Sequence, residues 1–158
     1  MKLRSFRIRN FRYYFSPELS NKVLNDFPTE FNLVKNGKAS SSSHYKNRVP
    51  QNVLKGHRLG VDWTLNDKSG WFQVIWDKPI KGRYILLINR KSSRGRDPWG
   101  PAEIFLNDDK ISELEYPFAG SSLLLIDLAK TNKIEKLFIN IRGLTYPGLS
   151  GLEIYDDQ

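Results

Sequence analysis

The residues able to do chemistry are few and of restricted type. The chain has two histidines, His44 and His57, and no cysteine, so thiolate metal sites, disulfides and cysteine nucleophiles are excluded. No G-x-S-x-G elbow, H-E-x-x-H pair or phosphate-binding glycine loop is present. Asp108-Asp109 sits where a hairpin turn is expected, and aspartate is favoured there for backbone reasons. No carboxylate pair stands out as the acid and base of a glycosidase. What the chain offers instead is arginine and aromatic rings in polar stretches. Lys91-Ser92-Ser93-Arg94-Gly95-Arg96 has the composition of an anion-binding loop or of a solvated charge run. Phe6-Arg7-Ile8-Arg9-Asn10-Phe11-Arg12-Tyr13-Tyr14 interleaves guanidinium groups with rings, as a phosphate-tracking, base-stacking strand would. The chemistry implied is recognition, with no cofactor, and no enzymatic activity is expected.

The elements that must position these groups are mostly strands. The length of 158 residues suits one domain with a real core, and 39% hydrophobic with 13% aromatic content is that of a globular chain. The formal charge of +8 favours an anionic partner: acidic glycan, nucleic acid or membrane surface. No run approaches a membrane span. The basic start, Met1 to Arg9, lacks the apolar core of a signal peptide; the protein is expected either to stay inside the cell or to be a piece whose export signal lies elsewhere.

Gly70-Trp71-Phe72-Gln73-Val74-Ile75-Trp76 alternates with period two, the pattern of a sheet strand, with Asp77-Lys78-Pro79 expected to end it. Trp63 and Trp71 are expected in the core. Further strands are predicted at 38–43, 83–89, 101–107, 110–116, 121–127, 134–141 and 150–155, and a short one within 1–15. Turn signals fall at Asn36-Gly37, Asn107-Asp108-Asp109, Ala119-Gly120, Thr131-Asn132 and Pro147-Gly148. One helix is predicted over 17–26, with Ser16 as N-cap, Pro17 at its first position and Pro28 closing it. Many short strands at this spacing predict an all-β antiparallel sandwich with one short N-terminal helix. Residues 44–70 form the long irregular stretch, the kind of loop that carries function on β scaffolds.

Five segments, in order, resemble one family. Asn32-Leu33-Val34-Lys35-Asn36-Gly37-Lys38-Ala39-Ser40 resembles the N-L-A-x-N-G-x-A opening of discoidin domains, also called coagulation factor V/VIII type C domains. Asn52-Val53-Leu54-Lys55-Gly56 followed by Asp62-Trp63 resembles their N-A-I-D-G … W segment, and Gly70 to Pro79 their G-W-I-Q-V-D-F-G-K-P strand. Ile85-Leu86-Leu87-Ile88-Asn89-Arg90 resembles the next core strand, and Gly148-Leu149-Ser150-Gly151-Leu152-Glu153-Ile154-Tyr155 the closing G-L-x-E-I-x-V-Y strand. The resemblance covers residues 32–155 and implies a galactose-binding-like jelly roll over 32–158, preceded by an N-terminal extension over 1–31. It implies a non-catalytic carbohydrate-binding module that meets a glycan, anionic ones included, through loops at one end of the sandwich.

Those loops correspond to about 44–48, 57–62, 90–99 and 144–148. The candidate ligand-binding residues in them are His44, Tyr45, His57, Arg58, Arg90, Arg94, Arg96, Trp99 and Tyr146, with Arg48 alongside. Sugars present C–H faces that stack on rings, and hydroxyls and carboxylates that suit the arginine fork. Four have a plainer alternative: Arg90 as a structural pairing arginine, Trp99 as a half-buried core residue, Tyr146 as a turn former, His57 as a solvated loop residue. Two other partners stay open, nucleic acid on the basic N-terminus and a docking protein. Family members commonly hold a structural calcium beside the Asp of D-G and the Glu of the last strand. Here Glu153 is retained but Lys55 replaces the Asp, so no metal is expected and a Lys55–Glu153 ion pair is predicted in its place.

Overall fold

The computed structural model describes residues 11–15, 17–56, 58, 61–90, 101–114, 123–143 and 146–157. Its elements are β1 (Phe11–Phe15), α1 (Pro17–Asn25), β2 (Lys38–Ser41), β3 (Trp63–Thr64), β4 (Ser69–Asn89), β5 (Ala102–Leu106), β6 (Asp109–Leu114), β7 (Leu123–Arg142) and β8 (Gly148–Tyr155). All pairings are antiparallel.

Two long strands build the sandwich. The first half of β4 pairs with β2 and with the second half of β7, which continues to β5 and β6. The second half of β4 pairs with β8 and with the first half of β7, which continues to β1, while β3 borders β8. One hydrogen-bonded ribbon is thus folded into two layers, with β4 and β7 passing from one to the other. Between the layers lie Phe72, Val74 and Trp76 from one half of β4 and Ile85 and Leu87 from the other. Ile104, Ile139, Ile141, Leu152 and Ile154 complete the packing. The period-two alternation sends these residues inward and their neighbours outward.

The passage between layers corrects the expectation that Asp77-Lys78-Pro79 ends a strand. β4 runs through them, with its pairing to β7 interrupted between Ile75 and Ile80. Pro79 is exposed in that gap, where its missing N–H costs no ladder bond. Thr131-Asn132 is likewise no turn, because Asn132 pairs with Gly82 inside β7. The Asn107-Asp108 hairpin is present, both residues having positive φ (49° and 70°) between β5 and β6.

The outer faces differ. α1 and Phe27, just beyond its end, cover one: Val23, Leu24 and Phe27 pack with Leu86, Ile88, Leu123 and Tyr155 in a second apolar cluster. The other carries Trp71, which is half-buried and not in the core; it stacks on Phe138 at 5.9 Å between centroids, and Phe138 meets Phe105 edge-on at 6.0 Å. Trp63 is fully buried, as expected.

Candidate functional site

Four stretches of chain are tied together at the end of the sandwich where β8 begins. β3 holds the centre, pairing Trp63 with Leu149 and Thr64 with Gly148. On one side the Tyr45 N–H donates to Thr64 O at 2.8 Å, the Thr64 N–H to Arg48 O at 3.2 Å, and Trp63 Nε1 to Ser43 O at 3.2 Å. On the other, the Leu65 N–H donates to Pro147 O at 2.9 Å. The close approach of β3 and β8 needs glycine at 148, since a Cβ there would lie 2.1 Å from Trp63 O.

On this frame Tyr45 and Tyr146 are large exposed rings, 41% and 50% accessible. Lys46, at φ 51°, sets its Nζ 5.1 Å from the Tyr45 ring centroid. His44 is exposed beside them. Arg48 is half-exposed, and its Nη1 donates to Asp62 Oδ2 at 3.1 Å. Asp62 Oδ1 also accepts from the Thr64 hydroxyl at 3.0 Å, so one carboxylate orients the arginine and braces β3. Asn52, buried below, donates from Nδ2 to Asp62 O at 2.9 Å and Asn47 O at 3.2 Å, closing the loop base. Arg90 is buried, and its Nε and Nη2 donate to Tyr146 O at 3.2 and 3.0 Å. Its guanidinium therefore sets the loop that displays Tyr146.

Arg58 lies elsewhere. Its Nε and Nη2 grip both oxygens of Glu153 at 2.7 and 2.6 Å. Nη2 also donates to Phe27 O at 2.6 Å, just beyond the end of α1. Glu153 is five residues along β8 from Gly148, roughly 16 Å at the rise of a strand. The predicted Lys55–Glu153 pair is thus corrected: Lys55 Nζ donates to Asn52 Oδ1 at 2.9 Å, and Arg58 takes Glu153. The Glu153 hydrogen bond raises the Arg58 pKa further above its ordinary value against the opposing effect of burial. Burial, reinforced by Glu153, pushes the Tyr155 phenol well up. Its hydroxyl donates to Glu153 Oε1 at 2.7 Å. This donor set does not fit the calcium that the resemblance raised: both Glu153 oxygens face a guanidinium, and calcium wants six to eight oxygens.

Of the residues singled out in the sequence, the structure brings Tyr45, Arg48, Arg90 and Tyr146 to one end, with His44 adjacent, and sets Arg58 apart. His57, Arg94, Arg96 and Trp99 lie outside the described residues. The sequence reading missed the role of Asp62. Its signal was the D-W pair just before β3, where a carboxylate next to a buried tryptophan needs a cation or hydroxyl partner. Exposed rings beside an oriented guanidinium are groups that stack on pyranose C–H faces and donate to hydroxyls or carboxylates.

No family model matches the chain and no curated protein matches it. Solved structures do. A Streptococcus pneumoniae fucose binding module, SpX-3, superposes with a TM-score of 0.65 at 20% identity, over 80% of this chain and 98% of that one. The CBM32-1 and CBM32-2 domains of Clostridium perfringens ZmpB, in complex with GalNAc, give 0.72 at 14% identity, over 93% of this chain and 42% of theirs. A fucolectin from striped bass (Morone saxatilis) serum gives 0.63 at 20% identity, over 83% and 49%. The fold is that of the galactose-binding-like β-sandwich domains, with one short α-helix among the described residues.

Proposed function

We propose that this protein is a non-catalytic carbohydrate-binding domain, and that the end of the sandwich carrying Tyr45, Arg48 and Tyr146 is its glycan site. The observation that carries the reading is the pair of exposed tyrosines on loops locked to one another through β3, beside Arg48 held by Asp62. It is supported by the shared fold of domains whose own names state fucose and GalNAc as ligands. In this reading Tyr45 and Tyr146 stack on the sugar, and Arg48 donates to hydroxyls or to the carboxylate or sulfate of an acidic glycan. Arg90 is a positioning residue: it is buried, and its guanidinium holds the Tyr146 carbonyl. His44, His57, Arg94, Arg96 and Trp99 complete the proposed loop set. A shallow site of this kind binds weakly and reversibly.

A glycan array containing fucosylated, galactosylated and heparin-like probes tests the proposal. Retention of at least one class is expected. Tyr146→Ala and Tyr45→Ala should each weaken it about fivefold or more, the worth of one ring stack. Binding to no glycan, together with tight and salt-sensitive binding to single-stranded DNA, would overturn the reading.

A further inference from the structure

At the far end of β8 from the loop site, roughly 23 Å away along seven strand residues, the chain forms a cleft of about 510 Å³. That volume lies in the range of small-molecule sites. Its base is aromatic: Phe27 packs against Tyr84 (centroids 5.5 Å) and Tyr155 (5.0 Å), and the Phe31 ring stands 47% exposed beside them. Its rim carries Asp26, Asp156 and Asp157.

The charges in the cleft run against those of the whole chain. On a protein of net charge +8, Asp26, Asp156 and Asp157 stand near two guanidinium groups, and both of these are already ion-paired: Arg58 with Glu153, and Arg83 with Asp127 and Asp157. Arg83 lies 4.9 Å from the Tyr84 ring centroid, and its Nη1 binds Asp157 at 3.0 and 3.2 Å. Asp156 accepts from the Thr131 hydroxyl. The Asp26 carboxylate makes no side-chain hydrogen bond or ion pair among the described residues. The unpaired carboxylate favours a cation over an anion, and a polyamine brings ammonium groups to carboxylate and π-face but only a thin methylene chain to cover a planar ring. A protonated amino sugar uses both features: its C–H face covers a ring and its ammonium meets carboxylate and π-face.

We infer that this cleft between the end of α1 and the end of β8 is a second binding site, for a cationic amino sugar with a free amine. It is independent of the loop end and of the function proposed for it, and its charge selectivity is the opposite.

The probe is a glucosamine tetramer added to the 158-residue chain, followed by titration calorimetry and by amide shifts in 15N-labelled protein. Saturable binding is expected, with shifts at Asp26, Phe27, Phe31, Tyr84 and 155–157. The N-acetylated tetramer should bind about tenfold more weakly, having lost one charge-assisted contact. Phe31→Ala should weaken the glucosamine tetramer about fivefold, and Asp26→Asn should also weaken it, whereas Tyr146→Ala should leave it unchanged. Both Phe31 and Asp26 are exposed, and unchanged amide spectra elsewhere would confirm that the variants fold. Equal affinity for the N-acetylated tetramer, equal displacement by spermine, or indifference to both cleft variants would overturn the inference. Loss of binding in Tyr146→Ala with the cleft variants intact would place the amino sugar at the loop end instead. Failure of every neutral and acidic glycan on the array would leave this result standing.

Discussion

Glu153 is 1% exposed on β8, on the side facing α1, and its carboxylate is satisfied by groups from elsewhere in the chain. Arg58 brings the charge, and through Leu24 O and Phe27 O it also ties the end of α1 to the sandwich. Removing one partner of a buried pair leaves an uncompensated charge, which costs more than the pair itself contributes. Arg58→Leu should therefore lower unfolding stability by about 3–5 kcal/mol, read from urea denaturation. Arg58→Leu combined with Glu153→Leu should recover most of that loss, because no charge is then stranded. A single variant as stable as the parent would show that water, not Arg58, satisfies Glu153.

At the scale of elements, the bends in β4 and β7 decide how the two layers face each other. In β7 the bend includes Ala129 at φ 69°, held by its N–H donating to Asp127 Oδ1 at 2.8 Å. Asp127 is itself clamped by Arg83 at 2.8 and 3.1 Å. Burial works to raise the Asp127 pKa, but the bonds from Arg83 and the Ala129 N–H outweigh it and hold the carboxyl below its ordinary value. A left-handed alanine costs about 1–2 kcal/mol, of which the chain entropy of glycine returns part. Ala129→Gly should raise stability by about 0.5–1 kcal/mol, with an unchanged fold by circular dichroism. A destabilised variant would mean that the alanine methyl contributes packing worth more than the strain.

These bends also show what the sequence could and could not convey. The alternation of Phe72, Val74 and Trp76 and the apolar face of α1 were readable because each is local. Pro79 reads as a stop from its own chemistry, whereas the strand resumes because Ile80 meets Ile134, a partner distant in sequence. Trp71 reads as core from its size and apolarity, yet it lies half-buried on the outer face because its partner there is Phe138, again distant. For Glu153, the motif spacing pointed to Lys55. Gly56, at φ 76°, turns the chain there, and Arg58 is the residue that reaches the carboxylate. The tyrosines at the loop end were legible as candidates, but the bond from Arg90 to the Tyr146 carbonyl depends on the end of β4 meeting the stretch before β8, 56 residues away.

For the molecule as a whole, the N-terminal elements cover one face of the sandwich. α1 lies over Leu86, Ile88, Leu123 and Tyr155, and β1 supplies the outer partner of β7 through Phe11–Asp127 to Phe15–Leu123. Uncovering those four side chains costs about 1.5–3 kcal/mol each, roughly 6–12 kcal/mol together, against a typical total stability of about 5–15 kcal/mol. The first half of β7 would also become an open edge, a template for pairing with other chains. A chain beginning at Pro28 keeps every residue of the proposed loop site and of the core between the layers. It should nevertheless fail to give a cooperative melt and should collect in the insoluble fraction. If it melts cooperatively within a few degrees of the full chain, the helix is an ornament on a self-sufficient sandwich. If it aggregates while Arg58→Leu remains soluble, the apolar cover outweighs the buried ion pair in holding the N-terminal elements in place.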